Sequence, residues 1–303
     1  MRKELLIRKR RQLNLFLLIV ASSVITYYAL IGVWPFIYNI YLTFRKTDII
    51  TEDKFIGLSN YRFLINDPIF WKSLWHNIYY LMIMVPIGAF TSLIIAALIS
   101  KTKGIAKKLY TAMFFTPVVT SMVAVSLVWT LLYFPKVGLF AVVLSKLFNI
   151  SQNNLTFLHN PSIALLCIII MDIWRDTGLR TVIFLAGIDE IPDQLYEAAR
   201  IDGTSAISQF FRLTVPLLRP QIIFIVAIYS INAIRVFVQI YMMTGNPPGG
   251  PANSTKVLAL QMYQEAFYSL RFGYAATISL VMFIMLFGLV ILEIKSFQEK
   301  WEY

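Results

Sequence analysis

Six stretches of this chain, at roughly 13–34, 76–100, 109–133, 162–187, 217–243 and 274–296, are apolar for about as long as a bilayer core is thick. A hydrocarbon layer needs about 20 such residues in helical form, and lipid offers no partner for an open backbone N–H or C=O. Each stretch is therefore expected to be a transmembrane helix. Pro35, Pro86, Pro117 and Pro161 fall at or inside the ends of these runs, where a kink or a helix start is tolerated between packed spans. The composition agrees: 58% of the residues are hydrophobic and only 14% are charged, with a mean hydropathy of +0.68. An ordinary soluble domain would carry about 25% charged residues.

The formal charge of +11 does not point to nucleic acid, because Lys and Arg gather in short clusters at the ends of the apolar runs. The first twelve residues, MRKELLIRKRRQ, run directly into the first apolar stretch. That stretch exceeds a signal-peptide core and no small-residue cleavage site follows it, so it reads as a retained span with residues 1–12 as a basic cytoplasmic N-terminus. This orientation puts 101–108, 188–216 and the tail 298–303 inside as well, with 15 Lys and Arg inside against 9 outside. That count places Arg219 and Lys295, at the ends of the fifth and sixth runs, inside, and the bias has the expected sign. The outer segment up to residue 73 carries its own acids, Asp48, Glu52, Asp53 and Asp67. Residues 13–73 thus form a first span with an extracytoplasmic segment, and 74–297 a core of five spans, the whole read as one membrane domain. A further apolar stretch, VGLFAVVLSKLF, is too short to cross and reads as a surface or re-entrant helix. The single cysteine, Cys167, permits no internal disulfide, and with only His76 and His159 no metal centre is expected.

Between the fourth and fifth runs lies EAARIDGTSAISQFFRLTVPLLRP, Glu197–Pro220. It is too polar to cross a membrane and too apolar for a solvated loop. Pro192 and Asp193 suit a helix N-terminus, Asp202-Gly203 is a turn signal, and Ser205–Leu213 can form a second short helix with Ile207, Phe210 and Phe211 as apolar anchors. A lipid-surface helix would carry more Lys and Arg on its polar face, so the expected partner of this bent pair is a groove on another protein.

The spacing Glu197-Ala198-Ala199, three residues, Gly203, nine residues, Leu213-x-Val215-Pro216 resembles the EAA signature of binding-protein-dependent ABC importer permeases. Leu213 and Val215 replace the usual Ile and Leu and keep their apolar character. Upstream, Leu185-Ala186-Gly187 and Ile191-Pro192 extend the likeness, as do Asp202 and Phe210 within it. KFIGLSNYRFLINDPIFW (Lys54–Trp71) and MTGNPPGGPANST (Met243–Thr255) resemble extracytoplasmic segments of the carbohydrate-uptake group. The resemblance implies an all-α integral membrane fold of six transmembrane helices, with a cytoplasmic coupling helix at about 193–213. It implies location in a bacterial cytoplasmic (inner) membrane with both termini inside. It also implies the partners: a second homologous permease, two ATPase subunits docked on the coupling helix, and an extracytoplasmic solute-binding protein. The coupling contacts would fall on Glu197, Ala198, Ala199, Asp202, Gly203, Phe210 and Pro216. The chain has no G-x-x-x-x-G-K-[ST] phosphate loop. ATP and Mg would be bound by the partner ATPase, and this chain is expected to be a permease and no enzyme.

Ionisable residues within a span are functional candidates, and the fourth run has four: Asp172, Arg175, Asp176 and Arg180, around Trp174. Residues 172, 176 and 180 share one helical face, and Arg175 adjoins Asp172. One alternative is mutual neutralisation, Asp172 with Arg175 and Asp176 with Arg180. The other is a sugar path, in which carboxylates and guanidinium groups meet hydroxyls and an indole meets a ring face. The resemblance to the sugar-binding permease subunit of maltose-type transporters favours the second for Asp172, Arg175 and Asp176. In the fifth run Tyr229, Asn232, Arg235 and Gln239 form a polar stripe, with Arg235 in mid-span and no acid within four residues. Three arginines against two aspartates in the spans leave a positive excess that points to an acidic sugar. A competing class is a secondary transporter or channel using the same Asp/Arg set. An intramembrane enzyme lacks a nucleophile–base pair.

Overall fold

The computed structural model describes residues 2–48 and 53–297. The expected tail 298–303 and Glu52 lie outside the described residues. Most of the described chain is helical. The helices are α1 (Arg2–Tyr28), α2 (Trp34–Thr43), α3 (Ser59–Asn66), α4 (Pro68–Ser100), α5 (Gly104–Val119), α6 (Met122–Leu132), α7 (Leu139–Phe148) and α8 (Ala164–Asp189). After these come α9 (Asp193–Ile201), α10 (Ala206–Gln209), α11 (Val215–Leu217), α12 (Arg219–Ile234), α13 (Val238–Met243), α14 (Leu258–Phe267) and α15 (Phe272–Phe297). The chain divides into two compact units: Met1–Asn66 with Glu265–Leu280, and Asp67–Gln264 with Val281–Tyr303.

In the first unit, α1 runs through a π turn at Ala29–Val33 into α2, so the first apolar helix continues to Thr43, beyond the expected end at residue 34. A two-residue antiparallel pair, β1 (Arg45–Lys46) and β2 (Lys54–Phe55), follows. Arg45 is paired there with Asp53 at 2.6 Å.

The second unit holds the main core. α4 packs along α8, with α5 against α8 and α12 against α4. α4 begins at an Asp67 N-cap, whose side chain accepts from the Ile69 N–H at 2.8 Å, with Pro68 at the first position. Tyr80, Met84, Ala96, Ile168, Ile169, Met171 and Phe184 are buried at the α4–α8 contact.

Among the described residues, six uninterrupted apolar spans are not found. Among the described residues three helices are long and apolar enough to cross a membrane: Leu13–Thr43, Pro68–Ser100 and Phe272–Glu293. Two bent pairs would make five. The expected third span breaks into α5 and α6 with a 97° bend. Pro117 sits in the last turn of α5 and Thr120 and Ser121 are extended, which ends the helix while the apolar run continues. The stretch Ala206–Leu217 meets Arg219–Ile234 at 69°. The expected fifth span breaks again at Arg235-Val236-Phe237, where Phe237 leaves helical geometry with φ −147° and ψ −60°. The fourth run is one continuous helix of 26 residues, but its four charged residues take it outside an apolar span by composition. The short run VGLFAVVLSKLF does form a helix, α7.

Candidate substrate path and coupling surface

The stretch from Asp193 to Leu217 folds as a helix, a turn and a second helix. α9 has Pro192 as its N-cap residue and Asp193 in its first turn. It stops at Asp202, and Gly203 takes a φ of +75°, where a side chain is strained. No atom lies within 4 Å of where a Gly203 Cβ would be, so conformation and not crowding selects glycine here. Ser205 caps α10, its hydroxyl accepting from the Ser208 N–H at 3.3 Å. The second helix differs from the expected Ser205–Leu213: α10 is one turn, and a π turn at Phe210–Thr214 carries the chain into α11. Gln209 Nε2 donates to the Thr204 carbonyl at 3.1 Å, and Tyr196 and Thr214 join hydroxyls at 2.9 Å, which fixes the two helices to each other.

Several apolar side chains of this hairpin face outward. Ile201 is 87% exposed and Ile207 73%, and Leu195 and Phe211 are exposed as well. Glu197, Ala198, Asp202 and Pro216 are exposed, while Ala199 and Phe210 are half-buried. Behind the hairpin a cavity of about 940 Å³ separates α9 and α10 from the end of α4. Phe210 and Val215 of the hairpin pack against the core, while Ile201 and Ile207 at its tip stay exposed.

In the bundle, the charged residues of α8 sort differently from either expected pairing. Arg175 is bonded to Asp176 at 2.6 Å, and its second nitrogen donates to the Val118 carbonyl at 3.3 Å. Val118 lies in the last turn of α5, whose carbonyls are left open by the bend and attract a cation. Arg180 is fully buried. It donates to Ser92 Oγ at 3.2 Å and to the Ile173 carbonyl at 2.9 Å, and its guanidinium lies 4.4 Å from the centre of the Tyr229 ring. Gly88 makes the room, since a Cβ there would come within 2.7 Å of the guanidinium carbon.

Asp172 is reached by two residues far away in sequence. Tyr80 of α4 donates its hydroxyl to Oδ2 at 2.6 Å, and Gln239 of α13 donates to the same oxygen at 3.1 Å. All three are buried, and Asp172 Oδ1 has no hydrogen-bond partner. Trp174, in contrast, is 47% exposed, with its ring 5.3 Å from Trp129. Of the stripe expected on the fifth run, Tyr229 and Gln239 join the buried groups, whereas Asn232 and Arg235 are exposed. Arg235 is not in mid-helix: it caps the end of α12 at the break. The hydrogen bonds on Asp172 come from Tyr80 and Gln239 and not from Arg235.

Asn77, Tyr80, Ser92 and Gly88 are functional neighbours that the motifs and charge pattern of the sequence do not single out. Asn77, Tyr80 and Ser92 are polar groups inside the apolar run of α4, and the spacing of 77 and 80 puts them on neighbouring faces of one helix.

The profile of the family described as "binding-protein-dependent transport system inner membrane component" matches residues 64–298. This chain belongs to that family. It is 34% identical over 267 residues to the probable ABC transporter permease protein YurN of Bacillus subtilis, covering 87% of this chain and 90% of that one. The lactose transport system permease protein LacF of Rhizobium radiobacter is 35% identical over 250 residues, 82% of each chain. Among solved structures, a bacterial ABC transporter involved in import of the acidic polysaccharide alginate superposes with a TM-score of 0.80. That comparison covers 95% of this chain and 97% of the other at 18% identity, so it establishes the fold. The broken spans and the short helices between them are thus features of an ABC importer permease, a multi-pass component of the inner membrane.

Proposed function

We propose that this permease is one transmembrane half of an ATP-driven importer that carries an oligosaccharide from an extracytoplasmic binding protein into the cytoplasm. The observation that carries the reading is the hairpin Asp193–Leu217, a helix–turn–helix that projects exposed Ile201 and Ile207. Exposed apolar tips on a polar loop mark a contact with another protein, and in a family of binding-protein-dependent transporters that partner is the ATPase. The sugar class rests on the lactose system's permease and on the exposed Trp174 beside the Arg175–Asp176 pair, a ring face and hydrogen-bonding groups of the kind that hold a sugar. The acidic character of the sugar rests on Arg235, an exposed cation at the break of the fifth span. ATP and Mg belong to the ATPase, the hairpin faces the cytoplasm, and a homologous permease completes the pore.

The test is co-purification. The tagged chain is expressed with its second permease and ATPase, and Ile201→Asp with Ile207→Asp is compared with the unaltered hairpin. The ATPase is expected to be retained by the unaltered chain and lost from the variant while the two permeases stay together. Equal retention of the ATPase would overturn the docking role of the hairpin.

A further inference from the structure

One face of α4 holds the break in the fifth span and the segment that follows it. Lys72 Nζ donates to the Ala252 carbonyl at 2.7 Å, and His76 Nδ1 lies 2.7 Å from the Lys256 carbonyl, so that this nitrogen carries the proton. Asn77 works on both sides of the break. Its amide donates to the Ala233 and Ile234 carbonyls at 3.2 and 3.0 Å, the open C-terminal end of α12, and its oxygen accepts from the Leu258 N–H at 2.8 Å, the open start of α14. Tyr80, one turn further on, shares Asp172 with Gln239 of α13. Residues 72, 76 and 80 recur every four positions, with 77 beside them, so these side chains form a single stripe.

Two features set this arrangement apart from ordinary packing. The segment it holds, Met243 to Val257, contains five residues with positive φ, Gly245, Gly249, Gly250, Ala252 and Asn253, of which two are not glycine and are held in a geometry they rarely adopt. At the inner end of the stripe, Asp172 Oδ1 is buried without a donor. A buried carboxylate oxygen left unpaired opposes the closed arrangement. Both ends are loaded against the bonds that hold them.

We propose that the polar stripe Lys72–His76–Asn77–Tyr80 is a latch that closes the α13 half of the broken fifth span over Asp172. Opening it frees α13 and its loop and presents Oδ1 to a hydroxyl donor of the sugar. Tyr80 and Gln239 are in this account positioning residues, holding Asp172 out of the path until the latch opens. The proposal rests on the importer reading and adds the trigger: a binding protein engaging the segment 243–257 releases the stripe.

The experiment uses the assembled complex of this chain, its second permease, the ATPase and the binding protein, reconstituted in lipid. ATP hydrolysis is measured with and without sugar-loaded binding protein for the unaltered chain, for Tyr80→Phe and Gln239→Leu, and for Lys72→Met at the exposed end of the stripe, which leaves the core untouched. Each hub variant removes a bond to a charged acceptor, so the unstimulated rate should rise by up to about tenfold and the stimulation by binding protein should shrink. Lys72→Met should move both in the same direction by less. Unstimulated rates unchanged in all three, with stimulation intact, would overturn the latch and leave the importer reading standing. An unaltered complex that binding protein does not stimulate would overturn both.

Discussion

Gly203 can be separated into two demands that a substitution series tells apart. Its φ of +75° calls for a residue that tolerates the left-handed region, and the open space around it would admit a side chain. Replacement by an L-residue costs about 1–2 kcal/mol in that region, more for a β-branched side chain and less for asparagine, whose short amide makes local hydrogen bonds. A cost of that size shifts the population of correctly turned hairpins by about 5–30-fold. Because no core atom is displaced, the effect should stay in the hairpin and spare folding. Gly203→Val is therefore expected to insert normally, to keep the second permease, and to lose ATP-driven uptake together with ATPase affinity. Gly203→Asn should retain most of both. The assay is uptake in proteoliposomes together with ATPase co-purification. Asn and Val variants impaired to the same degree would refute the conformational argument and point to a crowded contact on the partner, and a Val variant with normal uptake would refute the coupling role altogether.

Further perturbations follow from the packing and the charges. Gly88→Ala puts a methyl within 2.7 Å of a guanidinium pinned by Ser92 and Ile173, so about 1–3 kcal/mol of stability should be lost, read as a lower melting temperature in detergent. Gly178→Ala should be worse, because its methyl would lie 2.1 Å from the Phe114 backbone oxygen and α5 would have to leave α8. Gly32→Ala, with nothing within 4 Å, is the control, and three equal melting temperatures would contradict the packing account. Arg235→Gln keeps some hydrogen bonding and removes the charge. If the sugar is acidic, its uptake should fall about tenfold or more relative to a neutral analogue, the scale of a charge-assisted contact. Equal loss for both sugars would assign Arg235 to helix packing.

The hairpin was legible in the sequence because its signals are local. Pro192 and Asp193 start α9, Asp202-Gly203 end it, and the structure places the turn there. The spans were legible as apolar runs but not as helices with breaks. The 97° bend falls inside the uninterrupted apolar run 109–133, and hydropathy does not register a change of direction. The break at residues 235–237 contains neither glycine nor proline. What closes it is Asn77, 156 residues away from Ala233, and such a cap has no local trace. Asp172 shows the same limit. Helical spacing pointed to Arg175 as its neighbour, whereas Tyr80, 92 residues distant, takes its oxygen and Arg175 turns to the adjoining Asp176. The fifth run has the hydropathy of a continuous span with Arg235 in its middle, but the helix ends at Ile234 and the guanidinium lies exposed.

The most direct test of the central claim is uptake of labelled oligosaccharide by proteoliposomes containing this chain, its second permease and the ATPase, with binding protein outside and ATP trapped inside. The account predicts accumulation that needs both ATP and binding protein, that persists when proton and sodium gradients are collapsed, and that stops with Gly203→Val. Accumulation by this chain alone, driven by an ion gradient and indifferent to ATP, would contradict it and assign the Asp172, Arg175, Asp176 and Arg180 set to a secondary transporter.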